Sequence, residues 1–358
     1  MNGRSRPSRS SEDPGYEQAS RPAPSLRMTK GAILALCTFV AFLFAPSTFA
    51  QILTSTARGV VVAHDGRIEL TGGWSMAGVK NATSILSSPD QVAVLDALNN
   101  EAVVIELATG RARRFATGET PIDAAFLGRD LYVLARDAQQ IERLGPSPSL
   151  STVLRTDPDP AFLRGFNNNL YVYSRATGAV ESLRGGRVAV APFASDFEIA
   201  GSTGYLVFPR EALIRTIDLR TMKRSGEIKV GAVPVDLAFA GGGTAMTARV
   251  LAVADPSAKR VWLTEGVQST TEAIARGFVR GLLGLGLYGA RSSQFPTGID
   301  RVLANGKTWI AYDTSSGSLF RFSKNKSTLI ARGVAPRAFA VTADGVVYWL
   351  DGRVRMAR

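Results

Sequence analysis

The chain has 358 residues, 45% of them hydrophobic and 20% charged, with a formal net charge of +12. This composition excludes wholesale disorder and leaves room for a sizeable core. A single histidine, His64, and a single cysteine, Cys37, exclude a zinc centre, which needs a full set of N/S ligands. A Ser-His-Asp triad would have to use His64, which stands beside Asp65 and Gly66 in a turn-like stretch with no Gly-x-Ser-x-Gly motif to accompany it. Basic residues are dispersed, with small clusters at Arg111, Arg113 and Arg114 and at Arg220, Lys223 and Arg224. Without aromatic interleaving, they read as a solvated basic surface and point away from nucleic acid.

Residues 1–27 are rich in Ser, Pro, Arg and Glu and read as disordered. Lys30, the apolar run from Gly31 to Ala45, Pro46 and the small residues of Thr48-Phe49-Ala50 follow in the order of a secretory signal peptide. The reading is a signal at 28–50 cleaved after Ala50, with Met28 a better start than Met1. The alternative is an uncleaved inner-membrane anchor over 31–50. Cleavage would leave a cysteine-free domain, 51–358, in the periplasm or outside the cell, standing on its core alone.

Along that domain a short apolar run recurs, at Val60–His64, Val92–Asp96, Leu131–Ala135, Leu170–Ser174, Tyr205–Pro209, Leu251–Asp255, Trp309–Asp313 and Val347–Asp351. A turn and a second strand-like run follow each copy, which is a hairpin signature. Gly-x-x-Pro entries at Gly118–Pro121, Gly231–Pro234 and Gly333–Pro336 lead into a further strand. A unit of about 40 residues with three or four strands is a β-propeller blade. Seven inner strands are expected, beginning near Thr83, Ile122, Ala161, Phe197, Val235, Gly298 and Arg337. The fold class is therefore all-β, with seven four-stranded blades, eight being the alternative. The extra first segment, Val60–Leu70, is expected to close the ring against the last blade.

The stretch Val92–Gly110, with its Asn99–Gly110 core NNEAVVIELATG, and the Gly-x-x-Pro entry resemble the YVTN-type β-propeller repeat family. The resemblance runs over 60–358 as a pattern, although the tetrapeptide itself is absent. It implies the propeller fold and leaves activity open.

The longest interval between repeats holds Ser269-Thr270-Thr271-Glu272, a capping box. Ile274, Phe278, Leu282 and Leu285 follow at helical spacing, so a helix is expected near 269–288, packed on the propeller or docking a partner or a membrane surface. Asp96, Asp255, Asp313 and Asp351 end their strands and read as turn formers. Asp123 and Asp236 stand two residues after their entry proline, where an inner strand reaches the central channel. Together with Glu198, Asp300 and Arg337 they are the candidate ligand or metal site at the channel mouth, with Ca²⁺ the cation such carboxylates would take. No catalytic residue is identified. The reading is a monomeric binding or scaffolding module for proteins or glycans. Its alternatives are a Ca²⁺-dependent lactonase or hydrolase and a membrane-associated assembly factor.

Overall fold

The computed structural model describes residues 52–77, 79–145, 150–240, 250–265, 291–305, 308–323 and 326–358. Residues 49–358 make up one compact unit. Among the described residues every element is a strand except one 3₁₀ turn, Pro209–Glu211, and no helix is long and apolar enough to cross a membrane.

Among the described residues the strands form eight antiparallel sheets, seven of four strands and one of three. Each sheet is a meander in chain order, spanning 52–77, 82–116, 121–155, 160–189, 196–229, 236–294, 301–331 and 339–357 for blades one to eight. Successive innermost strands lie side by side, and the last, Phe339–Val341, reaches the first, Ile52–Thr56. The ring is closed.

The apolar runs that announce the blades have a packing cause. In blade two, Val92 and Val94 face Val61 and Ile68 of blade one. Ala93 and Leu95, between them in sequence, face Leu131 and Val133 of blade three. A strand covered on both faces carries a continuous apolar run instead of an alternating one.

Two expectations need correction. The blade count is eight, because Ile52–Thr56 is an inner strand of its own, paired with Gly59–His64. The Val60–Leu70 segment is therefore the second and third strands of blade one and supplies no strand to the sheet of blade eight. Closure instead packs Leu53, Val60 and Val62 onto Phe339, Val347 and Leu350. One backbone bond joins the seam, from Leu53 N–H to Arg337 C=O at 3.0 Å. The expected helix near 269–288, with Ile274, Phe278, Leu282 and Leu285, lies outside the described residues.

Candidate functional site

Asp96, Asp255 and Asp313 are buried at the ends of their second strands and shape the turns there. Asp255 accepts bonds from Ala258 N–H and Ser257 Oγ in its own turn, and from Ala232 N–H and Val233 N–H in the entry loop of the same blade. This explains the glycine of the entry motif. Gly231 has φ +59°, and a Cβ there would collide with the Asp255 carboxylate.

The start of each inner strand is the next layer inward. Asp123, Asp196 and Asp236 occupy the same register, opposite the penultimate residue of the second strand. Each carboxylate reaches the next blade. Asp123 accepts from Leu163 N–H at 2.9 Å, Asp196 from Leu237 N–H at 3.1 Å and Asp236 from Val302 N–H at 2.7 Å. They are struts between blades, satisfying inner-strand N–H groups that belong to no sheet partner.

Arg164, on the inner strand of blade four, gathers three blades. Its Nη1 lies 2.7 Å from Asp123 Oδ2 of blade three, its Nη2 lies 3.0 Å from Glu198 Oε1 of blade five, and Asp196 Oδ1 is 4.0 Å away. Burial alone would lower the proton affinity of this guanidinium. Glu198, Asp123 and Asp196 outweigh that and raise it above the ordinary arginine value. Three carboxyls shift the other way. Burial, with the charge of Asp236 adding, pushes Asp196 up to about 7. Asp236 rises to about 7 through burial, with Glu198 adding to it. Burial also lifts Glu198 to about 7 against the pull of Arg164.

Of the residues read from the sequence, the fold brings Asp123, Glu198 and Asp236 to one stretch of the axis. Arg337 stands further round the ring and donates from Nη1 to Thr83 C=O at 2.5 Å. Asp300 does not join them. It accepts from Thr314 N–H and Oγ1 in an exposed loop, because the strand of blade seven starts one residue later and the axis position falls to Arg301. Arg164 and Asp196 were missing from the sequence reading. A sequence signal existed only for Asp196, which sits one blade period from Asp236.

This set does not fit a calcium ion. Arg164 lies among the carboxylates where a cation would, and Asp123 Oδ2 and Glu198 Oε1 already accept from its guanidinium, with Leu163 N–H a further donor to Asp123. Among the described residues no group of three or more His, Cys, Asp or Glu side chains is arranged to hold a metal. His64 lies apart in blade one, its ring nitrogens 3.2 Å from Asp65 and 3.2 Å from Glu69.

The disc face that carries this axis mouth also carries the turns after the second strands, since inner strands begin where second strands end. Two apolar side chains stand out on it. Leu98, in the turn after Gln91–Asp96, is 78% exposed, and Phe193, in the loop entering blade five, is 57% exposed. Phe193 holds φ +64°, an unfavourable backbone for a bulky residue, costing about 1–3 kcal/mol. Arg210 lies over its ring, 5.3 Å from the centroid.

No family model and no curated protein matches the chain. Solved structures do. The chain is similar to a streptogramin B lyase at 13% identity and a TM-score of 0.56, covering 77% of this chain and 93% of that one. A chain of a mitotic checkpoint complex gives 12% identity and 0.54, covering 77% and 91%. BamB from Moraxella catarrhalis gives 11% identity and 0.57, covering 87% of this chain and 98% of its own. At such identities the likeness establishes the fold alone: this chain is a β-propeller.

Proposed function

We propose that this chain is an exported propeller that binds a protein partner on the face bearing the axis mouth. The observation that carries the reading is Phe193, a large aromatic side chain kept exposed on a strained backbone. Strain of that kind persists where something other than folding requires it, and aromatic side chains flanked by arginine are typical anchors of protein interfaces. Leu98 on the same face adds a second apolar contact. The repeat pattern resembles that of YVTN-type propellers, and a closed ring of blades that presents loops supports a binding role. Chains of this fold act as a lyase in one case and sit in a multiprotein complex in another, so the fold does not decide between them. Export rests on the charged, apolar and small-residue order of 28–50.

The competing reading is a Ca²⁺-dependent hydrolase centred on the axis. Thermal unfolding of the full chain with EDTA, then with excess Ca²⁺, separates the two. The binding reading expects no change in Tm with either. A ligand at about 100 times its Kd stabilises by about 2.7 kcal/mol. A fall in EDTA of corresponding size, reversed by Ca²⁺, would overturn the binding reading.

A further inference from the structure

Among the described residues blade eight is the one sheet with three strands. Its last, Val354–Ala357, holds the place of a third strand, which the other blades cover with a fourth. The gap shows in burial. Third strands of the four-stranded blades each hold at least two buried residues, whereas Val354–Ala357 holds none. Met356 is 63% exposed, and Tyr348 and Trp349 on the second strand are only half-buried.

The backbone polarity of this edge follows from strand alternation. Leu350 N–H bonds Ala338 C=O at the head of the inner strand, so Tyr348 also turns its backbone inward, and Val347 and Trp349 turn theirs toward the third strand. Ala357 and Arg355, their partners, bond back. Val354 and Met356 therefore direct their N–H and C=O groups outward, to no partner among the described residues.

The side chains give the edge two different faces. Phe339 lies 4.7 Å from Tyr312 of blade seven, ring to ring, and its cross-strand row through Trp349 and Arg355 shares that face. Tyr348 and Met356 face blade one. On the blade-seven side Arg321 reaches the edge strand, donating from Nη2 to Ala357 C=O at 3.1 Å and to Gly345 C=O at 3.4 Å. Its Nε is buried without a hydrogen bond. No carboxylate pairs with Arg321 or Arg355 among the described residues. A guanidinium held only by carbonyls lacks the counter-charge that its fork fits best.

We propose that an extended segment of another protein, alternating acidic and apolar residues, supplies the fourth strand of blade eight. Its backbone bonds Val354 and Met356, its carboxylates face Arg321 and Arg355, and its apolar side chains cover Met356. A second copy of this chain does not suit the edge. Self-pairing would set Arg353, Arg355 and Arg358 of two copies along one short ladder, where like charges repel. The edge lies on the outer rim, so this site goes beyond the partner-binding face at the axis mouth, and either can fail without the other.

The test is calorimetric titration of the full chain with three peptides. One alternates valine and glutamate, one alternates valine and lysine, and the third is the glutamate peptide N-methylated at its valines. Those valines lie opposite Met356 and would turn their N–H groups to the edge. The glutamate peptide is expected to bind at least about tenfold more tightly than either of the others. Met356→Pro removes an outward N–H that the sheet does not use. It should keep the wild-type Tm and weaken the glutamate peptide at least about tenfold. Arg355→Glu should invert the preference between glutamate and lysine peptides. No binding of the glutamate peptide at about 1 mM, equal binding of its N-methylated form, or an unchanged preference in Arg355→Glu would each overturn the proposal. So would a dimer of the full chain that Met356→Pro dissociates, which would assign the edge to a second copy.

Discussion

Replacing Arg164 with leucine is expected to cost about 3–5 kcal/mol of stability, the range for removing one partner from a buried charge network. The side chain is 23% exposed and meets Asp123 and Glu198 directly. Without it those groups and Asp196 repel one another across three blades. Glu198 is 37% exposed, so solvent screens part of its share and Asp123 bears most of the loss. The Tm of the full chain should fall by on the order of 10 °C. Adding Asp123→Asn to Arg164→Leu removes the orphaned charge and should restore part of the loss, giving a measurable coupling between the two sites. A single variant that melts within about 2 °C of the wild type would show that the network contributes little.

Stability is also expected to fall as pH rises from about 5 to 8. Asp196, Asp236 and Glu198 have folded values near 7 because burial disfavours their charged forms. In the unfolded chain they titrate near the ordinary carboxyl range of about 4. Between these values the folded state holds more protons than the unfolded state, so stability decreases with pH. The contribution is fully present below about pH 4 and is lost through about pH 7. Asp196 and Asp236 are coupled through a hydrogen bond, so their shifts are not summed. One shared proton moved by about three pH units corresponds to on the order of 4 kcal/mol. The opposite trend comes from Asp157, Asp255 and Asp313. In Asp157 the bond from Arg187 does most to lower the carboxyl. In Asp255 and Asp313 burial acts upward, but hydrogen bonds led by Ala232 N–H and Ser315 outweigh it. Their stabilisation disappears below about pH 4. The optimum therefore falls near pH 5, and urea midpoints at pH 5, 6, 7 and 8 should decline in order. A midpoint that rises from pH 5 to 8 would contradict the buried-carboxyl account, and Asp236→Asn should flatten the decline.

Most of the architecture is legible in the sequence because each blade must bury both faces and so repeats the same apolar run. The eighth blade is harder to see. The strand that raises the count from seven, Ile52–Thr56 of blade one, lacks the Gly-x-x-Pro entry that marks others. Asp123 and Asp236 are readable from their distance to an entry proline. Asp300 misleads, because Pro296-Thr297-Gly298-Ile299 lengthens the entry and shifts the axis position to Arg301. Arg164 leaves no local trace. Its partners Glu198 and Asp123 lie 34 and 41 residues away, each in a neighbouring blade, and only the closed ring brings them together. Phe193 is equally silent, since its strained backbone and exposure arise from the loop geometry.

The partner-binding face is tested most directly by immobilising the full chain and comparing what it captures, from an extract of the source cells, with what the variants capture. Three forms are needed: wild type, Phe193→Ala with Leu98→Ser, and Asp236→Asn on the axis. Loss of an aromatic anchor typically costs 2 kcal/mol or more of binding, roughly thirtyfold in affinity. A protein held by the wild type and by Asp236→Asn but lost from the face variant is the predicted result. A protein retained equally by the face variant, or lost only with Asp236→Asn, would contradict the account and move the binding site to the axis.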